Sequence, residues 1–159
     1  LGVCVYPNFA FSDLEEKTGK NRQDAYLDFG VGAFDVFREN RETAFSLEYQ
    51  PAHVWHTIRP VAGAMITTHL ATYLHLGFAF SWVIGDVFLL SPGFSAGWYQ
   101  KGKSGKDLGF PLEFRSGVIV AWVHKQQRFG VHFYHLSNAS LGRINPGAES
   151  LTLFFSQKI

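Results

Sequence analysis

The stretch Tyr73-Leu74-His75-Leu76-Gly77-Phe78-Ala79-Phe80-Ser81-Trp82 decides the fold. Leu74, Leu76, Phe78, Phe80 and Trp82 are all large and apolar, whereas the intervening Tyr73, His75, Gly77, Ala79 and Ser81 are small or carry a polar atom. Strict alternation predicts a strand with two unlike faces, because a helix would place its apolar residues three or four apart. The same period spreads outward in both directions. Leu27, Phe29, Val31 and Ala33 alternate with Tyr26, Asp28, Gly30 and Gly32, and Phe45, Leu47 and Tyr49 with Ala44, Ser46 and Glu48. Phe88, Leu90, Pro92, Phe94 and Ala96 face away from Leu89, Ser91, Gly93, Ser95 and Gly97, and Leu151, Leu153 and Phe155 from Thr152, Phe154 and Ser156. With Leu112 and Phe114 set against Glu113 and Arg115, and with two less regular runs, eight strands are expected at about 26–37, 42–50, 56–66, 72–83, 86–96, 111–124, 127–138 and 148–158. Alternation falters at Arg59-Pro60 and between Ala33 and Phe37, where a bulge or a strand end is expected.

Composition fits one such domain. The chain has 159 residues, 47% hydrophobic and 16% aromatic, with 17% charged, too apolar for disorder. A formal charge of +1 gives no reason to expect a nucleic-acid partner. The single cysteine, Cys4, excludes an internal disulfide and a four-cysteine zinc site. Apolar runs such as Val118–Val123 are far too short for a membrane helix, but a membrane β-strand needs only about 9–11 residues. Leu1-Gly2-Val3-Cys4-Val5-Tyr6, followed by Ala10-Phe11-Ser12, reads as a signal-peptide remnant over residues 1–12, with a short N-terminal strand as the competing reading. Residues 13–159 then form a single barrel domain, of which the first dozen read as a solvated lead-in.

Direction separates a soluble barrel from a membrane one. A soluble eight-stranded barrel puts its large residues inside, whereas a membrane barrel of that size has a narrow lumen suited to small and a few polar side chains. Here the bulky rows are Phe and Leu and the opposite rows are Gly, Ser, Ala and scattered charge. Links near Gly85-Asp86 and Gln126-Gln127 are short, and those at 97–110 and 138–148 are long, the asymmetry of periplasmic turns and extracellular loops. The expectation is an all-β, eight-stranded antiparallel outer-membrane β-barrel of a Gram-negative bacterium, in contact with membrane lipids.

Two serine signals compete for chemistry. Gly93-Phe94-Ser95-Ala96-Gly97 matches a nucleophile elbow, but that motif needs a strand, a sharp turn and a helix, and Trp98 to Gly105 has a loop composition. The second is His135-Leu136-Ser137-Asn138-Ala139, followed by Asn145-Pro146-Gly147-Ala148-Glu149-Ser150. Over residues 128–159 the sequence resembles the outer-membrane lipid A 3-O-deacylases, the PagL-like acyloxyacyl hydrolases. That resemblance implies removal of the 3-linked acyl chain of lipid A in lipopolysaccharide without a cofactor, with Ser137 as nucleophile, His135 as general base, Glu149 orienting His135, and Asn138 stabilising the oxyanion.

The residue pattern agrees. On a strand His135 and Ser137 share a face, in the row Phe129, Val131, Phe133, and Glu149 has the parity of Leu151 and Leu153. If Ser137 stands opposite Glu149, His135 is diagonal to Glu149. All three then face lipid near the extracellular end. A tight turn at Gln126-Gln127 would place Val118, Val120 and Trp122 on the same surface as Phe133, an apolar track for acyl chains. Lys101, Lys103, Lys106 and Arg143, in the long loops, are candidates for the lipid A phosphates. The remaining histidines, His53, His56, His69, His75, His124 and His132, show no metal-ligand spacing, so no metal is expected. Rival readings are a non-enzymatic membrane barrel with a degenerate site and a soluble lipid-binding barrel; a homodimer is an open assembly.

Overall fold

A computed structural model of the chain describes residues 24–39, 41–52, 57–103 and 105–159. The expected signal remnant at 1–12, as well as His53 and His56, lies outside the described residues. The strands are β1 (Tyr26–Phe34), β2 (Glu42–Gln50), β3 (Ile58–Thr67), β4 (Thr72–Phe80), β5 (Trp82–Ile84), β6 (Phe88–Gln100), β7 (Leu112–His124), β8 (Gln127–Ser137) and β9 (Ala148–Lys158). Each pairs antiparallel with its neighbour, β1 pairs with β9, and β4 pairs with β6, so the sheet closes on itself. β5 continues β4 after Ser81 and runs along the same β6, so nine segments occupy eight positions of a closed antiparallel barrel.

The alternation read from the sequence becomes inside and outside. Leu74, Leu76 and Leu153 are 60%, 71% and 63% exposed, and Phe29, Phe45, Phe78, Phe94, Trp98 and Phe129 stand out beside them around the wall. A belt of that extent is far beyond the apolar patches of a water-soluble monomer and is the lipid-facing surface of a membrane barrel. The inward glycines are set by crowding: a Cβ on Gly32, Gly77 or Gly130 would collide with the backbone oxygen of Leu151, Phe94 or Val120 on the neighbouring strand.

Three expectations change in detail. The run expected at 86–96 extends to Gln100, because Trp98 keeps its outward parity and Tyr99 its inward one, paired with Leu74 and Tyr73. That shortens the following loop to 101–111. The first strand stops at Phe34, where Asp35 adopts a left-handed φ of 57° and turns inward with Phe34, which explains the parity slip. At Arg59-Pro60 there is no bulge towards β4, since the register from Ile58↔Phe80 to Ile66↔Thr72 is continuous. The ladder to β2 instead ends at Ala62, so Pro60 lies beyond the point where β2 pairs.

In the lumen a central polar group lies between two apolar clusters. Arg115 Nη2 lies 2.6 Å from Glu48 Oε2, His75 Nε2 is 3.6 Å from the same oxygen, and the Arg115 guanidinium covers the Tyr134 ring at 5.2 Å. At the end with the short turns, Arg128 lies over the Tyr26 ring at 3.3 Å, while Arg59 donates to the carbonyls of Asp24 and Pro51. Leu89, Ile119, Ala121, Val123 and Phe154 pack at the end with the short turns. At the other end Phe34, Tyr73, Tyr99, Leu108, Tyr134, Leu136 and Ala148 form the second cluster. Leu108 is a loop residue, so the β6–β7 loop folds inwards as a plug, held by Lys106 on Asp35 at 2.6 Å and by Tyr99 Oη on the Lys106 carbonyl at 2.8 Å.

Breaking one member of the central pair strands a buried charge. Arg115→Met is expected to cost about 3–5 kcal/mol, read as a loss of midpoint in urea monitored by the heat-modifiable gel shift. The double variant Glu48→Leu/Arg115→Met is expected to recover most of that loss.

Candidate active site

β8 and β9 bring the polar residues together on the outer wall. Their register pairs His135 directly with Glu149, Phe133 with Leu151 and Val131 with Leu153. The expected arrangement, with Ser137 opposite Glu149, is therefore displaced by two residues. His135 is the direct cross-strand neighbour of Glu149, and Ser137 lies past the last β8–β9 pair, Leu136↔Ala148. The consequence is a short contact: His135 Nδ1 is 3.1 Å from Glu149 Oε1, with the two side chains 41% and 33% exposed. A directly opposite pair needs no stretched side chain to meet, so the corrected register strengthens this contact.

Ser137 is two residues along the strand from His135 and on the same outward face. It is paired with Phe114 on β7, while His135 is paired with Ser116 and Phe133 with Val118. The polar patch of His135, Ser137, Glu149 and Ser116 thus sits directly above an apolar row of Val118, Phe133 and Leu151. Below that row follow Val120, Val131 and Leu153. The β7–β8 turn consists of Lys125 and Gln126, one residue earlier than expected, with Lys125 at φ 54°. Parity is unchanged, so the expected track forms. Trp122 stands opposite Phe129 at the far end of that track, six residues below Ser116, or about 20 Å away. Its ring meets Phe88 at 5.1 Å, which places it in the aromatic girdle of the opposite rim rather than at the site.

Immediately after Ser137 the chain makes a tight turn. Ala139 and Ser140 have φ values of 50° and 64°, and the Leu141 amide donates to the Asn138 carbonyl at 2.9 Å, a type I′ geometry that normally selects glycine or asparagine. Two left-handed non-glycine residues directly behind a serine are local strain of the kind concentrated at functional sites. Asn138 is fully buried, and its carboxamide donates to the carbonyls of Leu108 at 2.7 Å and Ile144 at 2.8 Å. Both amide hydrogens are committed, so the side chain is not aimed at the Ser137 hydroxyl as the oxyanion role required. It fastens the β6–β7 and β8–β9 loops to each other beneath the site.

Of the expected phosphate contacts, Lys106 turns into the barrel mouth and is engaged by Asp35, which removes it from the lipid-facing surface. Lys101 is exposed and 3.6 Å from Asp107, and Lys103 and Arg143 are exposed on their loops. Ser95 is buried in the middle of β6 between Gly93 and Gly97, so the elbow motif is a lumen row. Among the described residues no three His, Cys, Asp or Glu side chains gather in a metal-holding group.

One residue of the site carried no role in the sequence reading. Gly147, at φ +60°, lies against the His135 imidazole so closely that a Cβ there would fall 2.6 Å from Cε1 and 3.3 Å from Nε2. Gly147 therefore leaves the room the imidazole occupies, and the Asn-Pro-Gly spelling was the only trace of this in the sequence.

Comparison with known proteins follows this geometry. The sequence matches the profile of the family described as lipid A 3-O-deacylase (PagL) over residues 38–158. No curated protein sequence matches it. Among solved structures the fold is similar to the crystal structure of the outer membrane enzyme PagL, with a TM-score of 0.68 and 22% identity over 84% of this chain and 99% of that one. It is also similar to a de novo designed transmembrane β-barrel (TM-score 0.57, 12% identity, 86% of this chain and 96% of that one). Neisserial surface protein A gives a TM-score of 0.56 at 7% identity, again over 86% and 96%. With its family profile spanning most of the barrel and its lipid-facing wall, the chain is an outer-membrane β-barrel and belongs to the lipid A 3-O-deacylase (PagL) family.

Proposed function

We propose that this protein hydrolyses the 3-linked acyl ester of lipid A by a serine mechanism built from Ser137, His135 and Glu149. The observation that carries the reading is the His135–Glu149 contact of 3.1 Å on the outward face beside Ser137, above a continuous apolar track. A soluble ester has no reason to approach a lipid-facing wall, whereas an outer-leaflet lipid presents its ester there with its chain pointing down the barrel. His135 Nε2 takes the proton from Ser137 Oγ as the oxygen attacks the ester carbonyl. Glu149, on Nδ1, fixes the tautomer and stabilises the imidazolium. The imidazolium then protonates the departing 3-oxygen, giving the free hydroxyl as the ester C–O bond breaks. Water, deprotonated by His135, releases the fatty acid from the acyl-enzyme.

His135 has two serines beside it, and electrostatics separates them. Ser116 lies inside a strand paired on both sides, to Phe94 and to His135, so its neighbourhood offers no free amide for an oxyanion. Ser137 ends its strand, and the amides of Ala139 and Ser140 in the strained turn lie beyond the ladder. Those amides are the proposed oxyanion donors, with Asn138 and its loop contacts holding the turn in place. The exposed Lys101, Lys103 and Arg143 remain proposed contacts to the lipid A phosphates, and Phe133 a contact to the acyl chain.

Mass spectrometry of lipid A incubated with the purified barrel tests the reading directly. The wild type is expected to remove one 3-linked acyl group. Ser137→Ala and His135→Ala should abolish release, Glu149→Gln should slow it by roughly 10²- to 10⁴-fold, and Ser116→Ala should stay within about threefold. Release of fatty acid by Ser137→Ala at the wild-type rate would falsify the assignment, and an unchanged lipid A in every sample would support a non-enzymatic barrel. Gly147→Ala, which pushes on the imidazole, is expected to lower kcat by about tenfold or more with little change in KM, while the gel shift still reports a folded barrel.

A further inference from the structure

Between β1 and β2 the chain takes a path that the strand pattern does not require. Asp35 follows Phe34 in a left-handed conformation, and its carboxylate is held inside by Lys106 at 2.6 Å. The Val36 amide donates to the Glu149 carbonyl at 2.8 Å, and the Arg38 amide to the Asp35 carbonyl at 3.0 Å. The turn from Asp35 to Arg38 is thus fastened both to the barrel mouth and to β9, at the residue whose side chain meets His135. Near its tip stands Phe37, 73% exposed, with its ring 6.4 Å from that of Phe133 and tilted by 57°.

Phe133 belongs to β8, and β9 lies between β8 and β1. Phe37 therefore reaches across β9, at the level of Glu149 and Leu151, to the side chain one step below His135 on the outer wall. An aromatic that served only to anchor the barrel at the membrane interface could point along any free direction. This one is aimed by a left-handed residue, an ion pair and two backbone hydrogen bonds at one flank of the proposed site. On the other flank Val118 of β7 stands opposite Phe133.

We propose that Phe37 is a specificity-determining residue that, with Phe133 and Leu151, forms the apolar wall holding the acyl chain of the ester attacked by Ser137. The inference rests on the proposed function and names which side of the track grips the chain. A chain running down from an ester carbonyl at Ser137 passes His135 first and Phe133 next, so the Phe37 ring closes over its first methylenes from the β9 side. Contact with methylenes near the ester is made in the bound substrate and in the transition state alike. Its loss therefore falls on KM and on chain-length preference rather than on kcat.

The test uses the purified full-length barrel in detergent and lipid A preparations with shorter and longer 3-linked chains. Phe37→Ala is expected to raise KM by about tenfold and to flatten the preference among chain lengths, with kcat within about twofold of wild type. Phe37→Leu, which restores apolar volume, is expected to recover most of the lost KM. Phe37 is exposed, so both variants should keep the heat-modifiable shift; if Phe37→Ala does not, the chain-length profile of Phe37→Leu carries the comparison. An unchanged KM and chain-length profile in both variants, with Ser137→Ala inactive in the same assay, would overturn the role of Phe37 and leave the proposed function standing. A fall in kcat at constant KM would also overturn it, because it would make the turn a support for Glu149. Activity in Ser137→Ala would defeat the proposed site itself, a result distinguishable from either.

Discussion

Within the hydrocarbon of a membrane a backbone amide has no water to turn to, and every structural feature of this protein follows from that demand. The sheet meets it by pairing β1 with β9 and β4 with β6, which closes the sheet into a barrel. Closure at eight positions makes the lumen narrow, and the narrow lumen in turn dictates the inward glycines and serines and the bulky outward rows. It also leaves polar inward residues no solvent, so Arg115 is bonded to Glu48 across the interior, with His75 beside the same carboxylate. The wall is therefore rigid, and a rigid wall can hold His135 and Glu149 in contact by register alone.

Such a wall gives the site its geometry and leaves its chemistry to the rim. Paired strands have no spare amide donors, so a hydroxyl in the middle of β7, such as Ser116, is poorly served for acyl transfer, whereas Ser137 stands where the ladder ends. The left-handed pair Ala139 and Ser140 follows at once, and buried Asn138 ties that turn to Leu108 of the plugging loop. The plug thus has two duties, closing the lumen and bracing the turn behind Ser137, the proposed nucleophile. Lys106, read as a surface cation, serves the first by engaging Asp35.

What the sequence made legible is what a strand encodes locally. Parity alone sorted Phe and Leu from Gly and Ser and put His135, Ser137 and Glu149 on one face, because a period of two survives any uncertainty in strand ends. Register did not survive it: the β8–β9 pairing depends on how the 138–147 loop closes, and a displacement by two keeps every parity while changing His135 from a diagonal to a direct neighbour of Glu149. Residues whose role comes from loop geometry left little signal. Phe37 reads as one more aromatic after a strand until Asp35 and the β9 backbone are seen to aim it, and Gly147, which makes room for the His135 imidazole, showed only in the Asn-Pro-Gly spelling. Trp122 was misplaced for the complementary reason, since parity fixes a face but says nothing about height along it.

Height is what makes a lipid-facing site tolerable. A charged side chain on the outer wall of a membrane barrel costs about 2–4 kcal/mol at the midplane and about 0–1 near the interface. His135 and Glu149 lie at the loop end of their strands, and the outward rows are apolar from Phe133 to Phe129 on β8 and from Leu151 to Phe155 on β9. The polar patch therefore sits where its desolvation is cheap and the apolar track begins where charge would become expensive. An outer-leaflet lipid has the same profile, polar at the sugar, an ester at the boundary and hydrocarbon below. On the proposed function, matching those two gradients would set the ester beside Ser137, and selectivity would then come from side chains lying along the wall. Phe37, brought across β9 onto Phe133, is a residue placed to supply it.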